Sequence, residues 1–271
     1  MTSSVLARNH VRVLGEGDQT LVLGHGFGSD QTIWQGQVQA FQAHYRIVLF
    51  DHVGSGGSDL HAFSPQRYRS LYNYGDDLLE ILDELDLRQV FYVGHSLGAM
   101  AGLLAAEHNP EAFARLVLIG SSPRYLNDGD YYGGFEQADL DALFHAMASN
   151  YQAWASSFAP QIIGSQNESR LAQRFAQSLA AMRPDIALST ARTAFLSDHR
   201  AVLPTIQTPT LAIQPTADPV VPLGIGEYFV AHKPNTRLNT IDADGHLPHV
   251  THPQAVTALI RAYLLSPVSP V

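Results

Sequence analysis

Val90-Phe91-Tyr92-Val93-Gly94-His95-Ser96-Leu97-Gly98-Ala99-Met100 is the stretch that decides how this chain folds. Four apolar residues with the character of a buried strand run directly into Gly-x-Ser-x-Gly. Small residues of a helix follow at once: Ala99, Ala101, Gly102, Ala105 and Ala106. A serine between glycines is by itself an ordinary loop, but a strand before it and a helix after it are the context of a nucleophile elbow. Gly94 and Gly98 leave room for the tight turn. The Ser96 hydroxyl is then expected at a helix N-terminus, where free N–H groups and the helix dipole favour negative charge.

Composition is consistent with that reading. The 271 residues, 45% hydrophobic and 15% charged, suit one large α/β domain or a core with an inserted subdomain. Lys+Arg number 16 against 25 Asp+Glu, a formal charge of −9 with no basic run, which argues against binding to nucleic acid or to an anionic membrane. The absence of cysteine excludes a disulfide framework, a thiolate metal site and a cysteine nucleophile. The stretch Met1–His10 lacks the apolar region of a signal peptide, and no apolar run approaches the ~20 residues of a membrane span. A soluble cytoplasmic protein is expected.

Upstream of the elbow, Val11–Leu14 and Leu21–Leu23 flank Gly15-Glu16-Gly17-Asp18 and predict a β-hairpin. The second strand ends in His25-Gly26-Phe27-Gly28, where glycines let the backbone turn an N–H towards a reacting carbonyl oxygen. Phe27 and Leu97 are the expected oxyanion donors. A helix is expected over Gln31–Ala43 and a strand over Tyr45–Phe50. The loop Asp51-His52-Val53-Gly54-Ser55-Gly56-Gly57-Ser58-Asp59 then lacks the Gly-Lys-Ser/Thr ending of a P-loop and any complete dinucleotide fingerprint. Asp51 is read as a loop-fixing carboxylate. Leu71 to Leu87 has the apolar spacing of an amphipathic helix.

Downstream, Asn109-Pro110 stops the elbow helix and Leu116–Ile119 forms another strand. Alternating strands and helices imply a mostly parallel central sheet with helices on both faces, with ligands outside the carboxyl ends of its strands. From Ser121 to Asp198 strands disappear and helical periodicity rich in aromatics takes over, which predicts a helical cap. Pro160, Gly164 and Pro184 are expected to separate its helices. The division is 1–121 for the first part of the core, 122–198 for the cap and 199–271 for the rest of the core. Thr210–Gln214 resumes the sheet and leads to Asp218; Arg237–Ile241 is the last strand, followed by His246 and a closing helix through Leu265.

Ser96, Asp218 and His246 stand in the nucleophile–acid–base order of an α/β-hydrolase. Serine is a poor nucleophile at its free pKa, so His246 must take its proton while Asp218 holds the imidazole tautomer. Asp242, Asp244 and Asp198 are weaker candidates for the acid. His246, His249 and His252 lack metal-ligand spacing, being interrupted by Pro248 and Pro253, and no metal or cofactor is expected. His25 and His95 read as hydrogen-bonded packing residues rather than catalysts, and His95 is a pocket candidate by position only.

The chain also resembles the α/β-hydrolases that include the bacterial stress regulator RsbQ and the plant strigolactone and karrikin receptors. The resemblance covers nearly the whole length. It rests on His25-Gly26-Phe27-Gly28 with Asp30-Gln31 and Trp34, on Gly94-His95-Ser96, and on Ser122-Pro123-Arg124-Tyr125-Leu126-Asn127-Asp128. It continues in Tyr132-Gly133-Gly134-Phe135-Glu136, Asn150-Tyr151 with Trp154 and Phe158-Ala159, Ser197-Asp198, and Gly245-His246-Leu247-Pro248-His249. Asp51–Asp59 and Leu97-Gly98 look nearer to the bacterial branch. The resemblance implies a V-shaped lid of four helices over a deep apolar pocket lined by Phe27, Tyr125, Phe135, Trp154, Phe158 and Phe195. It further implies slow serine hydrolysis, sometimes coupled to sensing, and for an RsbQ-like protein a phosphatase partner carrying a PAS domain.

The expected activity is hydrolysis of a small apolar ester, lactone or butenolide. The alternative is a ligand-sensing regulator that engages a protein partner. Carbon–carbon bond hydrolysis and cofactor-free haloperoxidase chemistry use the same triad and are separated poorly by sequence, whereas haloalkane dehalogenation needs a carboxylate where Ser96 stands.

Overall fold

The computed structural model describes residues 4–164 and 169–267; Met1–Ser3 of the N-terminal stretch read above lie outside them. Seven strands, β1 (Arg12–Leu14), β2 (Gln19–Gly24), β3 (Tyr45–Leu49), β4 (Val90–His95), β5 (Phe113–Ile119), β6 (Thr210–Ala217) and β7 (Thr236–Asp244), form one sheet. Their order is β1-β3-β2-β4-β5-β6-β7, and every pair is parallel except β1 with β3. The period of two along each strand divides the apolar residues between two cores. Val22, Val48, Tyr92 and Leu116 face one side, while Leu21, Leu23, Ile47, Phe91, Val93 and Val117 face the other.

Helices cover both faces. After the short α1 (Val5–Arg8), α2 (Gln35–Phe41) packs on one face, and α3 (Leu71–Glu84) and α4 (Leu97–His108) on the other. Ser70 caps α3, its hydroxyl accepting from the Tyr72 N–H. α4 is buried over ten consecutive residues, Leu97 to Ala106, so it is apolar on all sides rather than amphipathic.

The cap stands between β5 and β6 as α5 (Gln137–Ser149), α6 (Tyr151–Ile163), α7 (Ser169–Ala181) and α8 (Pro184–Phe195). α6 lies along α7 and α5 along α8. The two ends of this insertion are pinned together: the His199 N–H donates to Pro123 O at 2.8 Å, and Arg124 meets Asp198 at 2.7 Å. Arg200 joins the same Asp198 at 2.8 Å and Asp128 at 2.6 Å. The chain then completes the core with α9 (Gly224–His232), α10 (Pro248–Thr251) and α11 (Pro253–Leu265), the last packing on the α2 face. Among the described residues no helix is long and apolar enough to cross a membrane.

Several expectations need correction. The N-terminal hairpin does not form: Arg12 pairs with Leu49 and Leu14 with Ile47, while β2 carries β3 on one edge and β4 on the other. Both edges of β2 are taken, so the short, exposed β1 becomes the antiparallel edge beside β3. The helix expected over Gln31–Ala43 opens as a 3₁₀ turn, Gln31–Trp34, capped by Asp30, and only then becomes α2. Pro160 does not separate cap helices but sits inside α6, one turn before its end, where little helix remains for the missing N–H to weaken. Gly164 and Pro184 do bound helices, the first ending α6 and the second opening α8. The last strand runs on through Asp244.

Candidate active site

Ser96 sits between β4 and α4 with φ 52° and ψ −118°, a conformation that a residue with a Cβ adopts only where its surroundings impose it. The glycines on either side are required by close approach. A Cβ on Gly94 would fall 2.6 Å from Ala99 Cα, and one on Gly98 would fall 2.3 Å from His25 O. The turn is fastened by the Ser96 N–H donating to Ile119 O at 2.9 Å and by the buried Tyr92 hydroxyl donating to Gly98 O at 2.6 Å.

The two N–H groups expected as oxyanion donors are both without a backbone acceptor among the described residues. Leu97 opens α4 and so has no carbonyl one turn earlier in its helix. Among the described residues the Phe27 N–H donates to no backbone carbonyl. The loop carrying Phe27 is held from behind by two histidines. His25 Nε2 accepts from the His52 N–H at 3.0 Å, which leaves the His25 Nδ1–H to donate to Gly26 O at 2.8 Å. Burial lowers the pKa of both imidazoles, so each stays neutral and each tautomer is set by its bonds. Asp51 fixes its loop as expected, accepting from the Gln31 and Gly57 N–H groups, each at 2.8 Å.

Asp218 follows β6. Its Oδ1 accepts from the N–H groups of Val220 at 2.8 Å and Val221 at 3.1 Å, and its Oδ2 lies 2.8 Å from His246 Nδ1. A carboxylate only accepts, so Nδ1 carries the proton and Nε2 presents its lone pair. The imidazole lies over Gly120, directly after β5, where a Cβ would come within 3.2 Å of His246 Cε1. Ser96, bonded to Ile119, and His246, packed on Gly120, therefore share one end of the sheet. The Tyr125 phenol, its pKa pushed up to about 12 by burial, neighbours the Ser96 hydroxyl. No hydrogen bond joins Ser96 to His246 among the described residues. Asp198 is engaged with Arg124 and Arg200, and Asp242 accepts from the Thr216 hydroxyl at 3.4 Å; the carboxylate at His246 is Asp218.

The base loop is also tied to the cap. The His246 N–H donates to Ile162 O in α6 at 2.7 Å. Gly245, at φ +92°, permits this approach, since a Cβ there would fall 2.3 Å from Ile163 O. A backbone carbonyl leaves no mark in sequence, so the Ile162 contact was not foreseeable, although a glycine immediately before the base is consistent with close approach. The approach of Tyr125 to Ser96 carries no local signal either.

His95 takes the packing place and not the pocket place that its position also suggested. Its ring packs between those of His246 and His249, at 4.8 and 4.5 Å, and its Nε2 lies 2.8 Å from His246 O. It supports the base loop from behind rather than joining the pocket aromatics, because the side chain before the elbow serine points back into the core. Burial and the two neighbouring imidazoles hold its pKa well below the usual histidine range. His252 turns away to Thr251, 2.8 Å from its hydroxyl.

The other pocket residues form two aromatic groups. Phe27, Trp154 and Phe158 stand together, with ring centroids 6.5 and 4.9 Å apart along the series. Tyr125, Phe135 and Phe195 form the second group at 4.8 to 6.5 Å. One group contains an expected oxyanion donor and the other the phenol beside Ser96.

Comparison with known proteins agrees with this architecture. The model of the alpha/beta hydrolase fold matches residues 19–253. The chain is 45% identical over 258 residues to a probable esterase, D14L, of Oryza sativa subsp. japonica, covering 94% of this chain and 95% of the relative. It is 42% identical to karrikin insensitive 2 receptor CA of Petunia hybrida, over 94% of this chain and 95% of that one. A solved hydrolase from Oleispira antarctica superposes with a TM-score of 0.94 at 36% identity, covering 97% of both chains. The strand–elbow–helix unit, the parallel sheet and these likenesses place the chain in the α/β-hydrolase family.

Proposed function

We propose that this α/β-hydrolase is a serine esterase of slow turnover, acting on a small apolar ester, lactone or butenolide. The observation that carries this reading is a strained serine at the start of α4, at the same sheet end as a histidine whose tautomer Asp218 sets. His246 Nε2 accepts the Ser96 proton as Oγ attacks the carbonyl carbon. The Phe27 and Leu97 N–H groups receive the developing oxyanion, and the alcohol leaves with the proton from His246. Water, deprotonated by His246, then attacks the acyl carbon, the bond to Ser96 Oγ breaks to release the acid, and Oγ takes the proton back from His246. The aromatic walls and the absence of an Arg or Lys among the residues named around Ser96 favour an uncharged substrate.

Hydrolysis of p-nitrophenyl acetate and of a butenolide enol ether tests this, with Ser96→Ala and His246→Ala as controls. Loss in both variants supports the triad, and a preference for the butenolide supports the narrower substrate class. Wild-type activity no higher than that of either variant overturns the reading.

A second reading is a ligand-sensing regulator that signals to a protein partner, for an RsbQ-like protein a phosphatase with a PAS domain. The bond from His246 to Ile162 in the cap favours it, because the base and the cap surface then respond together. A relative named as a receptor points the same way. Ser96→Ala separates the two: partner binding that persists in this variant makes turnover incidental to signalling.

A further inference from the structure

The turn Gly26-Phe27-Gly28-Ser29 carries one of the two expected oxyanion donors on a peptide that its own backbone holds weakly. Gly26 is demanded by close approach, since a Cβ there would fall 2.5 Å from His95 Nδ1. A residue without a Cβ also leaves the peptide beside it free to rotate. The turn is closed loosely: the Ser29 N–H reaches Gly26 O only at 3.4 Å, longer than the usual amide hydrogen bond. Rotation of the Gly26–Phe27 peptide would exchange the Phe27 N–H for the Gly26 carbonyl. A carbonyl dipole aimed at a developing oxyanion repels it, where an N–H stabilises it.

Two side chains hold that carbonyl. The His25 Nδ1–H donates to Gly26 O at 2.8 Å, and the Ser29 hydroxyl donates to the same oxygen at 2.9 Å. Together they occupy both of its lone pairs. In a planar trans peptide the N–H points opposite to the C=O, so a carbonyl held by the histidine and the serine sends the Phe27 N–H the other way. That N–H is the one left without a backbone acceptor. Ser29 is buried, at 5% exposure, and among the described residues its hydroxyl makes no other hydrogen bond.

We propose that Ser29 is a positioning residue for the reaction: its hydroxyl, together with His25, fixes the Gly26–Phe27 peptide so that the Phe27 N–H is presented to the oxyanion formed at Ser96. The proposal rests on the esterase reading above and adds a residue to it. Ser29 acts through the peptide and not on the substrate. Loss of a whole oxyanion donor costs about 10²–10³-fold in kcat. Loss of one of the two groups that hold the donor leaves His25 in place, so a smaller cost of about three- to tenfold is expected.

The test compares Ser29→Ala with the unaltered protein on p-nitrophenyl acetate. In parallel, ¹⁹F NMR follows the pH titration of the hemiketal that an alkyl trifluoromethyl ketone forms with Ser96. In that adduct Ser96 Oγ has added to the ketone carbon, its proton has passed to His246, and the former carbonyl oxygen carries the negative charge. The pKa of that oxygen reports what the oxyanion donors contribute, whatever the rate of turnover. In Ser29→Ala, kcat is expected to fall about three- to tenfold with KM changed by less than about twofold, and the hemiketal pKa to rise by about 0.5–1, the same effect read at equilibrium. Ser29→Thr keeps the hydroxyl and is expected to restore both values. Ser29→Cys, with the shape of serine and a weaker donor, is expected to lie between, and it carries the comparison should Ser29→Ala not fold. An unchanged kcat in Ser29→Ala overturns the proposal and leaves the esterase reading standing. So does a change in KM alone, a lower kcat with an unmoved hemiketal titration, or Ser29→Thr as slow as Ser29→Ala. An unaltered protein that neither hydrolyses the ester nor forms the hemiketal overturns the esterase reading, and this proposal with it.

Discussion

A neutral phenol, Tyr125, stands next to the Ser96 hydroxyl, and this bears on rate at the level of single atoms. Tyr125→Phe removes the hydroxyl that can compete with His246 Nε2 for the serine. A net hydrogen bond of about 0.5–1.5 kcal/mol corresponds to a two- to tenfold faster acylation, read from the burst of p-nitrophenolate with p-nitrophenyl acetate. A slower burst would show instead that the phenol donates in the transition state. Ser96→Ala and His246→Ala are each expected to cost at least about 10³-fold in kcat, and the double variant little more, because the two act as one unit. At this scale Ser96, Asp218 and His246 were legible because each needs a particular side chain in a loop after a strand. The Tyr125 contact and the true place of His95 were not: both depend on which way a ring turns once distant segments have packed.

Among the elements, the joint between cap and core holds the largest electrostatic cluster described above. Arg200, through its hydrogen bonds, lowers the pKa of Asp198 to about 2, with Arg124 adding to the effect. A carboxylate depressed in the folded state contributes fully above its unfolded value of about 3.9 and loses that contribution as pH falls towards 2. The stability difference between the unaltered protein and Asp198→Asn should therefore be constant above pH ~4.5 and shrink below it. The groups are partly exposed, so it should be only about 0.5–1 kcal/mol, and smaller still in about 1 M salt. Gly245→Ala tests the other joint: a Cβ 2.3 Å from Ile163 O at φ +92° is expected to cost about 1–3 kcal/mol in urea unfolding and to lower kcat. Strand and helix identities followed from period and punctuation. The partner of β1 did not, because pairing is decided by which edges of β2 remain free, a property of the assembled sheet.

Across the whole molecule, buried histidines govern the response to acid. His52 and His95 are held well below the usual range, and His249 is lowered to about 3, in each case chiefly by desolvation. Between about pH 6.5 and those lowered values the unfolded chain binds protons that the native state refuses, so stability falls as pH falls. Each such histidine contributes up to about 1.4 kcal/mol per pH unit at full difference. Urea midpoints measured from pH 7 to 4.5 should drop steeply, and His249→Phe should flatten the curve by up to that amount per unit. A slope unchanged by the substitution would mean that His249 takes up its proton without unfolding.

The bond from His246 to Ile162 O has a consequence for recombination among related chains. A crossover at the two ends of the cap would import a foreign α6, and the bond survives only if that helix ends in the same place, since any residue supplies the carbonyl but the helix backbone sets where it lies. The unit that can be exchanged without that condition is the cap together with residues 245–249, two stretches far apart in sequence. Chimeras that respect this pairing should keep chemistry, whereas those that move the cap alone, with an α6 that ends elsewhere, should fold with a misplaced base.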